Sequence, residues 1–486
     1  MSALRFGFAP VSLAVFGALA VGGPASAQLA LPPLADPAPA GTPAPMVLPP
    51  VDGPLSTAPP PAPPPVLTAP PPVAVQAAPL QAPDLFSAEA FNTGLPGDLW
   101  RGTSDGLARL VIPQLSQKPL SPAAAAFARR LMSTGAAAPE GAGEDTDLAA
   151  ARIGAVLALG DAPGARAMIE YTPGLRQNAA LAQVAAETDL VLGREEEACA
   201  IGDMLNVGKD QPYFRRLRVF CLMRAGDKAG AQLAYDLTAE QAKDDVYKRL
   251  MSAAVSGAPA GEASLRNGIE YALSRRLQLE MGPAMANAWA PIPPIVAKDL
   301  AAPLSAQAAA ATRVAMPVND TSRASTLDPA IRDAALALAD NRLTPDISDR
   351  LVSSGQAGGN EAMGGAALYA AAGAPADARV RAVFATFDIG RSTANQGRLL
   401  EMDATATGGA KGDAALLALW LAADAGPAGP TVADRARIVR ALNRAGFKDD
   451  ARIYALEGML ELRPPPPPPP PPPPKKPVRR RQPRGN

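Results

Sequence analysis

The chain has 486 residues, of which 46 are basic and 46 acidic, and this charge balance gives no general attraction to nucleic acid. It contains no histidine, which excludes Ser-His-Asp and Cys-His catalysis and the usual imidazole metal sites. Aromatic residues make up only 4% of the chain and alternating β-branched runs are scarce, so the composition predicts an all-α protein.

Residues 1–27 have the three regions of a secretory signal peptide. Arg5 supplies the positive charge, residues 6–21 form an apolar centre, and Ala25-Ser26-Ala27 provides an A-x-A cleavage site. Pro10 makes the stretch a poor membrane-spanning helix, and the alternative interpretation is an uncleaved N-terminal anchor. Both interpretations predict that the rest of the chain is exported.

Residues 28–83 are rich in proline and alanine and carry few charges. Proline fixes φ and removes a backbone donor, so this stretch is predicted to be a disordered linker. A partly polyproline II chain of this length would reach about 170 Å at about 3.1 Å per residue. It is interpreted as a spacer across an envelope compartment or, alternatively, as a solvated linker without a partner.

Residues 84–289 are predicted to form an N-terminal helical repeat domain. Thr103 or Ser104 can cap a first helix, and Ser121-Pro122 opens a second. Trp100 is interpreted as a core or interdomain anchor in preference to a ligand-stacking residue.

One turn recurs within this domain at a constant interval of 33 residues. Its glycines are Gly160, Gly193 and Gly226, and an alanine follows each of them after five positions. Glycine takes the left-handed conformation without a Cβ penalty, so these residues are predicted to end helices. Asp161 and Asp227 suit the N-caps of the helices that follow. The spacing predicts a series of helical hairpins, each with an apolar face to bury.

The pattern resembles the tetratricopeptide repeat, whose turn carries a glycine and an alanine five positions later in a unit of about 34 residues. The aromatic and proline positions of that family are mostly unfilled here. The resemblance implies an α-solenoid of helical hairpins. Similar turns occur at Gly373, Gly409 and Gly446, spaced by 36 and 37 residues. The alternative is a set of unrelated hairpins without a continuous superhelix.

The two cysteines, Cys199 and Cys221, are predicted to form a disulfide. The first lies at the start of one hairpin's second helix, and the other lies near the end of the next hairpin's first helix. Since consecutive helices of such a stack run antiparallel, these positions are expected to be neighbours, and disulfides persist in an oxidising compartment. The alternative is a pair of buried free thiols.

Beyond the repeats the regularity weakens. A helix is predicted over residues 262–281, followed by an irregular, proline-interrupted connection over 290–327. A C-terminal helical repeat domain is predicted over 328–463, and in its last hairpin Thr431 and Asp434 suggest a capping pair.

Residues 464–486 are predicted to form a polyproline rod with a basic tip. Eleven prolines are followed by six positive charges and no acid, on Lys475, Lys476, Arg479, Arg480, Arg481 and Arg484. Such a tip suits anionic lipid head groups or lipopolysaccharide phosphates. The alternative is a disordered, solubilising tail.

These features together predict a noncatalytic scaffold or adaptor that binds another envelope protein, of unknown identity, through its helical-repeat surface. Export and an alanine- and arginine-rich composition indicate the periplasm of a Gram-negative bacterium. No catalytic residue, cofactor, metal or nucleic acid is predicted. The alternatives are a glycan-cleaving or glycan-modifying cell-wall enzyme that uses a pair of carboxylates and a regulator of cell-wall synthesis.

Overall fold

The secondary structure is helical in the residues that the computed structural model describes, which are 84–87, 92–240, 243–285 and 321–462. These ranges contain nineteen α-helices and one 3-10 helix, and the β-type pairing found in them is a single bridge between Ser104 and Glu140. The predicted all-α fold is confirmed. The predicted signal peptide, the linker, the rod with its six basic residues and most of the 290–327 connection lie outside the described residues.

Eleven helices precede residue 286. They are α1 (Asp105–Leu115), α2 (Pro122–Met132), α3 (Thr146–Ala158), α4 (Ala162–Tyr171), α5 (Ala179–Val191), α6 (Glu195–Met204), α7 (Pro212–Arg224), α8 (Lys228–Ala239), α9 (Asp245–Ser256), α10 (Gly268–Arg276) and α11 (Gly282–Met285).

The helices after residue 320 begin with the 3-10 helix Thr321–Thr326. It continues with α12 (Pro329–Ala339), α13 (Pro345–Gln356), α14 (Asn360–Ala371), α15 (Ala378–Phe384), α16 (Gln396–Gly408), α17 (Lys411–Ala425), α18 (Val432–Arg444) and α19 (Lys448–Glu461).

The predicted turn glycines separate consecutive helices in the left-handed conformation. Their φ angles are +91° at Gly160, +76° at Gly193, +83° at Gly226, +94° at Gly373, +84° at Gly409 and +97° at Gly446. Side chains cap three of the helices that follow, because Asp161 accepts a hydrogen bond from the Gly164 N–H, Asp227 accepts one from the Gly230 N–H and Asp377 accepts one from the Val380 N–H. The turns at Gly160, Gly193 and Gly226 produce the hairpins α3–α4, α5–α6 and α7–α8.

The hairpins pack on one another in chain order. Helix α3 contacts α5, α6 contacts α7, and α8 contacts α9. This packing is compatible with a helical repeat fold. The chain then turns back on the stack, since α10 packs against α5 and α7 as well as against its neighbour α9. One face of the hairpins is therefore partly covered by a later part of the same chain.

Helices from both sides of residues 286–320 pack together. Helix α1 contacts α17, and α2 contacts α17 and α19. Trp100 is fully buried at this junction. A Cβ at Gly412, in the first turn of α17, would lie only 2.8 Å from the Trp100 ring, so a glycine is needed for this close approach. Phe127 and Phe447 make an edge-to-face contact at 5.3 Å between ring centroids in the same junction.

The helix predicted over residues 262–281 is shorter than expected. It begins at Gly268, where the Asn267 side chain accepts a hydrogen bond from the Glu270 N–H, and it ends at Arg276. The preceding residues are held in a loop because Ser264 and Arg266 both donate to the Glu270 carboxylate, at 2.6 and 2.9 Å. Local hydrogen bonding therefore overrides the helical spacing of the apolar residues here.

Candidate binding site

A pocket of about 530 Å³ lies between the first helices of the hairpins and the start of α10. Helices α3, α5, α7 and α9 form its walls, and residues 266–269 close one side. Its lining includes Gly154, Leu157, Gln183, Val184, Glu187, Tyr213, Arg216, Tyr247, Arg266 and Ile269. Apolar and polar side chains thus share one concave surface, as is usual for a ligand site. We call this cavity the α5–α10 pocket.

Glu187 of α5 is the acid in the pocket wall. The backbone N–H of Gly268 donates to its Oε2 at 2.5 Å. Its other oxygen, Oε1, is buried and has no hydrogen-bond partner among the described residues. Burial raises the pKa of Glu187 to about 7, although the hydrogen bond from Gly268 opposes that rise. The carboxyl group is therefore held near the midpoint of its titration at neutral pH.

Two tyrosines complete the polar part of the wall. Tyr213 of α7 lies beside Glu187, and burial together with that neighbouring carboxylate raises the pKa of its phenol well above the usual value. Burial also raises the pKa of Tyr247 on α9. Within the described ranges, neither hydroxyl makes a hydrogen bond of acceptable distance and angle. The Tyr213 hydroxyl faces the Glu187 carboxylate, and the Tyr247 hydroxyl is available to a ligand or to water because buried polar atoms are normally bonded.

The arginines of the pocket are already paired. Arg216 contacts Asp244 at 3.1 Å, and its guanidinium lies 4.7 Å from the centre of the Tyr247 ring. Arg266 contacts Asp244 at 2.6 Å and Glu270 at 2.5 Å. Burial alone would raise the pKa of Asp244, but its bonds to the arginines hold that pKa below the usual value. Both positive charges are thus used within the fold.

A second set of ion pairs fastens α10 to the hairpin α5–α6. Glu195, at the start of α6, contacts Arg275 at 2.7 Å and Arg276 at 3.0 Å. Glu195 also lies in the first turn of α6, where its negative charge suits the positive end of the helix dipole. The pocket is therefore closed on one side by a helix that is anchored at both ends, through Gly268 and through Arg275.

The residues that the sequence singled out lie elsewhere. Cys199 and Cys221 are joined, with a sulfur–sulfur distance of 2.02 Å and Cα atoms 5.6 Å apart, and they connect α6 to α7. Neither cysteine nor any of the six turn glycines lines the α5–α10 pocket. The six basic residues of the predicted tip lie outside the described residues.

Sequence reasoning missed the pocket residues. Tyr213 precedes Leu217 by four positions, a spacing that predicts the apolar face of α7. Its ring does pack on the core, and its hydroxyl faces Glu187. Glu187 follows Val184 by three positions on α5, so a carboxylate next to the predicted apolar face was the available signal.

Comparison with known proteins assigns no family to this chain, since no protein-family model, curated protein or solved structure matches it. Among the helices of the described part, none combines the length and apolarity needed to cross a bilayer. In its described residues, the structure defines an all-α arrangement of packed helical hairpins with a pocket of apolar and polar side chains between α3, α5, α7 and α9.

Proposed function

We propose that this protein is a noncatalytic periplasmic adaptor that binds a segment of another envelope protein in the α5–α10 pocket. The observation that carries the proposal is that two buried groups of the pocket wall are not fully satisfied by the described part of the chain: Glu187 has no cationic partner, and the Tyr247 hydroxyl makes no hydrogen bond. Leaving such atoms unsatisfied costs about 1–3 kcal/mol each, so a ligand that bonds them gains affinity.

The shape of the site supports a polypeptide ligand. A cavity of about 530 Å³ is open to solvent at exposed Gln183 and accommodates a few side chains rather than a whole domain. The tetratricopeptide-like hairpins favour the same interpretation, because the inner surface of stacked hairpins is a common site for peptides.

Two observations support export to the periplasm. The first is the signal-like sequence of residues 1–27. The second is the Cys199–Cys221 disulfide, which is compatible with an oxidising compartment. Mass spectrometry of the protein from a periplasmic fraction tests this part: a chain that begins at Gln28 supports cleavage after Ala27, and recovery only from the cytoplasm contradicts export.

Photocrosslinking in the native host tests the adaptor function. A photoreactive amino acid is placed at Gln183, on the pocket rim, and at Leu233 of α8 as a control, because Leu233 is 64% exposed and does not line the pocket. We expect one dominant protein crosslinked from residue 183 and absent from residue 233. The same products from both positions, or none from residue 183, would contradict the proposal.

A further inference from the structure

The charges around the α5–α10 pocket do not balance within the fold. Two arginines balance two carboxylates there. Arg216 pairs with Asp244, and Arg266 pairs with both Asp244 and Glu270. Glu187 has no basic partner, and the donors that act on its carboxylate, the backbone N–H groups of Gly268 and Ile269 and the phenol of Tyr213, are all neutral. The pocket therefore holds one uncompensated acid when Glu187 is ionised.

The unsatisfied atoms show which chemical group is missing. A carboxylate oxygen only accepts hydrogen bonds, and tyrosine hydroxyls can accept as well as donate. A donor with a positive charge would satisfy Glu187 Oε1 and could reach the neighbouring Tyr213 hydroxyl. An anionic group would instead meet Glu187 directly, and it would have to compete with Asp244 for the arginines.

Resting on the proposed function, we infer that the pocket receives one basic side chain of the partner, a lysine or an arginine, whose cationic group pairs with Glu187 Oε1. The apolar stem of such a side chain packs against Leu157, Val184 and Ile269, which line the same cavity. The cation then lies close to the Tyr213 hydroxyl, whose oxygen can accept a hydrogen bond from it. An apolar or ionised acidic side chain has no donor for Glu187 Oε1 and leaves its charge unpaired.

Binding of capped seven-residue peptides to the mature protein tests this inference. Four pools differ only in the central residue, which is lysine, arginine, norleucine or glutamate, and the other positions are randomised among neutral residues. We expect the lysine and arginine pools to bind about tenfold more tightly than the norleucine pool, as a desolvated ion pair should. The glutamate pool should bind most weakly.

Matched variants identify the residue responsible. Glu187→Gln keeps the shape of the side chain and should abolish the preference for a basic centre. Glu196→Gln, an exposed acid on α6 that does not line the pocket, should leave the preference unchanged. Tyr213→Phe removes one hydroxyl and should weaken all pools by a few fold while the preference remains. Thermal unfolding of each variant verifies that it is folded.

The outcomes separate this inference from the adaptor function. Norleucine peptides that bind as tightly as lysine peptides, or a preference that survives in Glu187→Gln, would overturn the cation assignment and leave a peptide-binding pocket. Failure of every pool to bind the folded protein would contradict both proposals. Mapping the partner peptide crosslinked from residue 183 provides a second check, because a peptide without lysine or arginine would also overturn the assignment.

Discussion

The backbone N–H of Gly268 donates a hydrogen bond to Glu187 Oε2, across 81 residues of sequence. This contact fixes the first residue of α10 against the middle of α5. A Cβ at position 268 would lie 3.0 Å from both the backbone oxygen and Oε2 of Glu187, and 3.1 Å from Leu190 Cβ. Position 268 is therefore closely packed, and an added Cβ requires the neighbouring atoms of α5 and α10 to shift by a few tenths of an ångström.

Gly268→Ala should loosen α10 from the stack. Overpacking of this kind costs about 1–3 kcal/mol, so we expect faster amide hydrogen exchange over residues 268–276 and a lower free energy of unfolding. Gly282→Ala is the matched control, because a Cβ there meets no atom within 4 Å. Equal exchange in the two variants would show that α10 is not held by this contact.

The pKa of Glu187 gives a pH-dependent prediction. Burial raises that pKa to about 7, from an ordinary value of 4.5. A carboxyl group with a raised pKa binds its proton more tightly in the folded state than in the unfolded state. Folding stability therefore falls as pH rises from about 4.5 to about 7, and it stays reduced above that. Glu187→Gln removes this loss. The advantage of the variant over the wild type should therefore grow with pH, by about 1–3 kcal/mol.

Urea unfolding of both proteins at about pH 5 and about pH 8 measures this difference. Burial also raises the pKa of Asp189 to about 6, but that residue is present in both proteins and cancels in the comparison. Tyr213 from α7 and Glu270 from α10 are the other titratable groups that act on Glu187. A stability difference that is the same at both pH values would refute the raised pKa.

Binding of a cationic peptide should also depend on the ionisation of Glu187. Ionisation lowers the folding stability, but it should raise the affinity for the peptide. Ionised Glu187 attracts the cation and protonated Glu187 does not, so affinity for lysine-centred peptides should fall as pH drops below about 7, by up to about tenfold per pH unit. Isothermal titration calorimetry at several pH values measures this slope. Glu187→Gln should show a flat profile, and a similar slope in that variant would assign the dependence to another group.

The sequence predicts the hairpins well because their determinants are local. A glycine with positive φ and a following capping aspartate fix the turn at Gly160-Asp161 and at Gly226-Asp227 without help from the rest of the chain. Ser104 caps α1 for the same reason, by accepting a hydrogen bond from the Leu107 N–H. Elements of this kind can be predicted from a few neighbouring residues.

The pocket depends on contacts that are distant in sequence, and it could not be predicted. Nothing local to Gly268 indicates that its N–H meets Glu187, and a glutamate next to an apolar helix face is ordinarily expected to be exposed. The helix predicted from residue 262 was too long because the apolar spacing already includes Leu265. The bonds from Ser264 and Arg266 to Glu270 hold these residues in a loop, so the helix begins only at Gly268.

The disulfide should contribute measurably to stability. Cys199 and Cys221 close a loop with a sequence separation of 22 residues. Loop-closure entropy for this length corresponds to about 3 kcal/mol. The Cys199→Ala/Cys221→Ala variant should lose about that amount of unfolding free energy, measured by urea denaturation. A reductant should destabilise the wild type and leave the variant unchanged, and two thiols titrated in the unreduced, denatured protein would refute the bond.

A buried network of ion pairs and hydrogen bonds joins α2, α18 and α19. Arg435 is almost fully buried and contacts Glu457 and Glu461, each at 2.8 Å. Glu457 also accepts hydrogen bonds from Ser121 Oγ at 2.8 Å and from the Ala123 N–H at 2.9 Å. The carboxylate of Glu457 thus connects the start of α2 to the last hairpin, and the guanidinium of Arg435 neutralises it.

Arg435→Met should destabilise the protein strongly because it leaves Glu457 buried without a counter-charge, at a cost of about 3–5 kcal/mol. Arg437→Met, on the same helix, is the matched control. Arg437 and its partner Asp403 are 31% and 32% exposed, so that substitution should cost less than about 1 kcal/mol. Replacing Glu457 as well, in Arg435→Met/Glu457→Met, should recover much of the loss. Urea unfolding compares the three variants, and similar costs for Arg435→Met and Arg437→Met would mean that burial does not govern this pair.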